Sequence, residues 1–351
     1  MSIAARYRQQ IETGALKPGD QLPSFAEVRS ELGIGQSTLE RAHELLERDL
    51  LIQREPGRGV FVAQRSAKPR TGIIGLSGID AGRGHHPYFS RLVEGVRQAA
   101  QDAGVEILLL HEDVPLEEGK VDGILLYSHA PDVALRRLPP CMPCVSLLRG
   151  ARGISSLTVN EYEGIAVAMR HLIEQGHTKI AYLCALDDNP VMQQRVQAYR
   201  DTLMAAGIEA RAEWLRHLPD FRMLKEVYRE FLGWGFECMN AWLDQNWAEL
   251  GCTALLAQND DTAVGVARAF HARGWSIPDQ VSLIGYDDTL TAELMHPPLT
   301  TVHVPLRDIG AKAMELLLHE IEKGVGAAAS APSIVFNPTL QVRASTSPNK
   351  R

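Results

Sequence analysis

TGALKPGDQLPSFAEVRSELGIGQSTLERAHELLERDLLIQREPGRGVFV, residues 13–62, is the stretch from which the fold can first be read. At its centre, Ser24-Phe25-Ala26-Glu27 has the form of a capping box, in which the hydroxyl and the carboxylate each satisfy a free amide at a helix start. Gly33 suits that helix's end. A further helix opens between Gly35 and Ser37 and buries Leu39, Ala42 and Leu46. Upstream, Ile3, Tyr7 and Ile11 form one apolar helical stripe that ends near Gly14, and Lys17-Pro18-Gly19-Asp20 is a turn. Downstream, Leu51-Ile52-Gln53-Arg54 and Val60-Phe61-Val62 flank Glu55-Pro56-Gly57-Arg58-Gly59, a β-hairpin with a basic tip. Three short helices followed by a hairpin make a winged helix.

With Pro18-Gly19-Asp20, Leu22-Pro23-Ser24, Thr38, Ala42 and Gly57-Arg58-Gly59 in these positions, residues 13–62 resemble the GntR-family DNA-binding domain nearly end to end. The resemblance implies that the third helix enters the major groove of double-stranded operator DNA and that the hairpin touches the backbone or minor groove. Carried over by position, the DNA-binding residues are Ser24, Gln36, Ser37, Thr38, Arg41, Arg58 and Gly59. Gln36, Ser37 and Thr38 offer donors and acceptors to base edges or phosphates, while Arg41 and Arg58 supply charge. The chain departs from the family pattern at Ala26, Gly35-Gln36 and Glu40, where cationic side chains are usual.

Residues 64–71 contain Arg65, Lys68, Pro69 and Arg70, with no acid and no large apolar side chain, and read as a linker. The expected division is a winged-helix domain over 1–63, the linker, an effector-binding and dimerisation domain over 72–346, and a tail over 347–351. Beyond the linker, short apolar strands alternate with amphipathic helices. Strands are expected at 71–76, 105–110, 121–127, 145–148, 179–183, 254–257 and 281–285, and helices through Tyr88 to Ala99, Tyr162 to Gln175, Arg195 to Ala206 and on to Arg273. Strand, helix, strand implies a parallel sheet, hence an α/β fold. A last strand is expected over Ile334 to Val342.

NEYEGIAVAMRHLIEQGHTKIAYL (160–183), the block LLAQNDDTAVGVARAFHARGWSIPDQVSLIGYDDTLTAELMHPPLTTVHVPLRDIG (255–310) and FNPTLQVRAST (336–346) resemble the LacI/GalR effector domain, whose fold is shared with periplasmic sugar-binding proteins. The resemblance implies two α/β subdomains joined by three chain crossings, with a small molecule in the cleft between them. It places Tyr88, Arg195, Asn259 and Asp287 at effector-binding positions; Phe221 is a further candidate. A guanidinium, an amide and a carboxylate around an apolar face suit vicinal hydroxyls, which favours a sugar. Purine, nucleoside and phosphorylated sugar stay open, because His85-His86 stands where Asn is common. Only His111 to Lys120 joins the second and third strands, too short for a full crossover helix.

Composition agrees with this organisation. The chain has 351 residues, 45% hydrophobic and 23% charged, which excludes disordered and fibrous classes. Its net charge of −7 divides into −1 over residues 1–64, +3 from Arg65, Lys68 and Arg70, and −9 beyond. No apolar run reaches membrane-spanning length, and no secretory leader is evident, so a cytoplasmic protein without a membrane partner is expected. Five scattered cysteines argue for reduced thiols, and Cys141-Met142-Pro143-Cys144 has no second pair to complete a zinc site. No dinucleotide or P-loop fingerprint is present and no cofactor is expected. The expectation is a homodimeric, sequence-specific transcriptional regulator, a repressor of carbohydrate uptake or catabolism genes, and not an enzyme. A solute-binding protein for sugar transport would leave residues 1–62 without a role, and a sugar- or nucleoside-acting enzyme would need a poised acid and base that the sequence does not offer.

Overall fold

The computed structural model describes all residues except 1–2, 13, 49–50, 64–69, 80–86, 111–115, 117–118, 129–130, 140–141, 186–189, 218–226, 324–330 and 351. Most of the linker, His85-His86, Cys141, Phe221 and most of the 111–120 connection therefore lie outside the described residues.

At the N-terminus, α1 (Ile3–Glu12), α2 (Phe25–Leu32) and α3 (Gln36–Arg48) are followed by β1 (Ile52–Glu55) and β2 (Gly59–Val62), paired antiparallel. The apolar stripes read from the sequence meet here: Tyr7, Leu22, Val28, Leu39, Ala42 and Leu46 form one buried cluster. The capping box on α2 is complete, and Gly33 ends that helix in the left-handed conformation at φ 66°. The turn before it is tied to the hairpin, since the amide of Leu22 donates to the carbonyl of Val60 and that of Val62 to Asp20.

The strands that follow fall into two sheets. One has the order β13-β7-β6-β5-β3-β4, with β3 at Ile73–Ser77, β4 at Glu106–Leu110, β5 at Gly123–Tyr127, β6 at Cys144–Leu147, β7 at Ser155–Val159 and β13 at Ser333–Phe336. The other has the order β14-β12-β11-β10-β8-β9, with β8 at Ile180–Cys184, β9 at Leu215–His217, β10 at Ala254–Ala257, β11 at Ser282–Asp287, β12 at Thr300–His303 and β14 at Thr339–Gln341. Pairing is parallel among β8, β9, β10, β11 and β12, and β8, β10 and β11 are buried along their whole length, as a sheet covered on both faces requires. The helices are α4 (Pro87–Ala103), α5 (Pro131–Leu135), α6 (Glu161–Glu174), α7 (Pro190–Ala205), α8 (Val227–Gln245), α9 (Trp247–Leu250), α10 (Asp260–Ala272), α11 (Leu290–Leu294) and α12 (Leu306–Lys323).

Two compact units result. The first comprises Met1–Asp80, Ala99–Ser156 and Ala313–Pro332; the second comprises Ala81–Gln98, Leu157–Lys312 and Ser333–Arg351. The single last strand expected over 334–342 is two strands instead. The chain breaks at Asn337-Pro338, β13 joins the first sheet, and β14 lies antiparallel on the edge of the second. Proline cannot donate to a ladder, which is why pairing stops there. The helix expected from Arg195 begins earlier, at Pro190, and places Arg195 within it. Residues 347–349, read as tail, are bonded to the second unit: the amide of Ser347 donates to Ser282 Oγ at 3.1 Å and that of Asn349 to the carbonyl of Gln175 at 2.7 Å.

Within the second unit, α8 and α10 pack through glycine. A Cβ at Gly235 would strike the carbonyl of Thr262, and one at Gly265 the carbonyl of Leu232 and the amide nitrogen of Phe236, whereas one at Gly233 would meet nothing. This close approach seats Trp242, Trp247 and Phe270 edge to face in the core. Gly265→Ala is expected to destabilise the unit by about 1 to 3 kcal/mol, because backbone cannot yield as a side chain does. Gly233→Ala should be neutral or stabilising by up to about 1 kcal/mol. Urea titration followed by tryptophan fluorescence distinguishes the two.

Candidate functional site

On the winged helix, the residues expected at DNA are exposed: Ser24, Gln36, Ser37, Thr38, Arg41, Arg58 and Gly59. Ser24 spends its hydroxyl in the capping box, accepting from the Glu27 amide at 3.4 Å and donating to the Glu27 carboxylate at 2.8 Å; that second bond, and one from the Ser24 amide at 2.7 Å, hold the carboxyl below its usual range. Gln36 is the first residue of α3, and its Nε2 donates to Glu40 Oε1 at 2.9 Å. Arg58 at the hairpin tip is ion-paired with Glu55 and sits 5.6 Å from the centroid of the Phe61 ring. Gly59 has φ 124°, a conformation that side chains rarely adopt, and a Cβ there would lie 2.6 Å from Gln21 Nε2. The same Nε2 donates to the Arg58 carbonyl at 3.0 Å, so Gln21 braces the tip.

The effector candidates lie in the second unit. Parallel strands β8, β10 and β11 end side by side, where open α/β sheets hold their ligands. Arg195, on α7, is buried. Its Nε donates to Glu161 Oε2 at 2.7 Å, one terminal nitrogen donates to the Gln258 carbonyl at 3.0 Å, and the guanidinium carbon lies 3.7 Å from the Tyr286 ring centroid. Tyr286 in turn donates its hydroxyl to the same Glu161 oxygen at 2.9 Å. Gly164 makes room, because a Cβ there would strike that hydroxyl. Burial works to lower the Arg195 pKa, but Glu161 together with Tyr286, Tyr182 and Asp287 outweighs it and the net shift is upward. Among the described residues, these two bonds use two of a guanidinium's five N–H donors.

Asn259 is half-buried at the start of α10, and its Oδ1 accepts from the Thr262 amide at 2.9 Å, which leaves the amide nitrogen to donate. Asp287 ends β11 at φ 105° with Asp288 following at φ 54°, two consecutive side chains in a strained backbone region. Asp287 is buried, and among the described residues no hydrogen bond reaches its carboxylate. Burial, and secondly the charge of Asp260, hold it well above the usual carboxylate range. Asp288 is fully engaged: it accepts from His303 Nδ1 at 2.8 Å and from Arg343 at 2.6 Å, and Arg91 lies 3.8 Å away. Asp260 is also fully buried but satisfied, by the Thr301 hydroxyl at 2.6 Å and by the Thr289 amide and hydroxyl at 2.7 and 2.9 Å. Burial pushes it up to about 7 despite those bonds. Tyr88 is half-buried in the first turn of α4, on the helix expected through it, and edge-on to Phe89 at 5.1 Å.

Comparison with known proteins identifies this arrangement. Residues 1–62 match the bacterial regulatory proteins of the gntR family, and residues 169–346 match the periplasmic binding protein-like domain. The ribose operon repressor of Escherichia coli (strain K12) is 30% identical over 251 residues, covering 67% of this chain and 72% of the repressor. The transcriptional regulator GalR of the same strain is 30% identical over 302 residues, covering 81% of this chain and 82% of GalR. The chain belongs to the LacI/GalR family of transcriptional regulators. Its N-terminal end is of the GntR type. It is a regulator rather than an enzyme, as these relatives are. In fold it is similar to the transcriptional regulator CelR in complex with cellobiose, with TM-score 0.68, 24% identity and coverage of 89% of this chain and 91% of that one.

In this LacI/GalR-type chain, sequence reasoning named Arg195 and Asp287 but not Glu161 or Tyr286. Tyr286 carries a weak signal, being the residue before Asp287 on an apolar strand; Glu161 carries none, since acids are ordinary in the first turn of a helix. Cys144 is a buried thiol pushed up to about 12, chiefly by burial, which makes it a packing residue. Among the described residues, no helix is long and apolar enough to cross a membrane.

Asp260 generates a pH prediction. Its folded pKa of about 7 lies above its unfolded value, so the stability it contributes is fully present below about pH 4 and is lost as pH rises through 7. Between pH 5 and 8 the wild type should therefore lose stability relative to Asp260→Asn, by no more than about 1.4 kcal/mol per pH unit. Denaturant titrations of both proteins across that range check it; parallel curves would place the Asp260 titration elsewhere.

Proposed function

We propose that this chain is a homodimeric, cytoplasmic repressor that binds double-stranded operator DNA through residues 1–63 and responds to a neutral sugar held at the ends of β8, β10 and β11. Residues 64–71 serve as linker, residues 72–346 as the effector-binding and dimerising part, and residues 347–351 as its end. The observation that carries the reading is the buried, unbonded carboxylate of Asp287 close to a guanidinium with donors to spare among the described residues. A group that both donates and accepts answers both needs, and a hydroxyl does so without adding charge. A phosphate would have to sit beside the carboxyl groups of Glu161, Asp260 and Asp287, where burial already holds the last two above the usual carboxylate range, and such a site disfavours a further anion. The relatives named for ribose and the neighbour bound to cellobiose support the same class.

The test is a thermal-shift screen of the full chain against neutral sugars, sugar phosphates, purines and nucleosides, since a ligand at 100 times its Kd stabilises by about 2.7 kcal/mol. A hit among the phosphates alone would overturn the neutral-sugar assignment. Asp287→Ala is expected to lose about 2 to 5 kcal/mol of affinity for the sugar so found, read by calorimetry, with operator binding in its absence intact. The sugar should change operator affinity by roughly 5- to 150-fold, and operator DNA should change sugar affinity by the same factor. A ligand that binds tightly and leaves operator affinity unchanged would sink the regulatory mechanism.

A further inference from the structure

A helix-turn-helix protein reads base edges with the N-terminal side chains of its second helix, here α3. On α3 the exposed set over its first turns is Gln36, Ser37, Thr38, Glu40 and Arg41. The commonest specific contact to DNA is a cation on the acceptors O6 and N7 of guanine, and this surface offers Arg41 alone for it. Beside it stands an arrangement of the opposite kind. Gln36 Nε2 donates to Glu40 Oε1 at 2.9 Å across one helical turn. A carboxylate can only accept, so the contact settles which way the amide faces: its nitrogen is held toward Glu40 and its oxygen is left over. The pair therefore presents acceptors, the amide oxygen of Gln36 and the second carboxylate oxygen of Glu40. In the major groove, the matching donors are the N6 amino group of adenine and the N4 amino group of cytosine. A carboxylate gains nothing from a neighbouring phosphate, so a base edge is the part of the duplex it can contact favourably.

We propose that Gln36 and Glu40 act as an acceptor pair that reads exocyclic amino groups, so that each half-site carries adenine opposite Gln36 and cytosine opposite Glu40 in place of an arginine-read guanine. The inference rests on the DNA-binding reading above and names the bases that reading leaves open. Glu40 also positions Gln36, since the hydrogen bond between them fixes the amide for adenine, whose N7 can still take the remaining N–H.

The experiment selects binding sites for the full-length protein from a random duplex pool. Affinity is then measured by fluorescence anisotropy, at one fixed salt concentration, on the selected duplex, on duplexes substituted at single positions, and on a scrambled duplex. The expected half-site contains a cytosine whose replacement weakens the wild type roughly 5- to 150-fold. Glu40→Ala, an exposed substitution, should tolerate that replacement with little change while keeping its discrimination elsewhere, and Gln36→Ala should lose discrimination at the adenine. Selection of guanine at both positions would overturn the pair. So would a Glu40→Ala protein whose affinity changes by the same factor on every duplex, which would make the carboxylate a repulsive bystander. A wild-type chain that enriches no sequence at all would overturn the DNA-binding reading and the pair with it.

Discussion

Taking a carboxylate out of water is tolerated only where something answers its charge, and the second unit meets that demand in three different ways. Glu161 is answered by Arg195 and by the hydroxyl of Tyr286. Asp260 is answered by three hydrogen bonds from Thr289 and Thr301. Asp287, held at a strained φ beside both, has the charge of Arg195 nearby but accepts no hydrogen bond among the described residues, and burial holds it well above the usual carboxylate range. Much of the local architecture follows from these arrangements. Gly164 admits Tyr286, and Gly285 lacks a side chain where a Cβ would strike Asp260. The strain and the unmade hydrogen bonds at residue 287 are what an incoming polar molecule would relieve.

How much of this could be read beforehand depends on whether the signal was local. The winged helix was legible because its cues lie within a few residues of one another: the Ser24 to Glu27 box, the Leu39, Ala42 and Leu46 stripe and the Gly57 to Gly59 tip all appear as expected. The buried parallel strands β8, β10 and β11 were legible as short apolar runs. The contact between Glu161 and Arg195 was not, because it joins two helices across 34 positions and neither residue is unusual where it stands.

Helix α8 shows a different failure. It was not among the expected helices, and of its two glycines, Gly233 and Gly235, only Gly235 lets the backbone of α10 come close. A glycine lowers helix propensity and permits tight packing at once, and only the partner helix reveals which matters. Strand β7, Ser155-Ser156-Leu157-Thr158-Val159, escaped because its small polar residues lack the apolar run that marked the other strands.

The break at Asn337-Pro338 has a consequence for how the chain is made. Nine residues near its end, 333–341, supply an edge strand to each sheet. During synthesis, strands β7 and β12 are thus complete long before their last neighbours emerge, and each waits with an open row of backbone donors and acceptors. The nascent chain passes through a period in which two unfinished edges are exposed together, and the same short segment, arriving last, covers both.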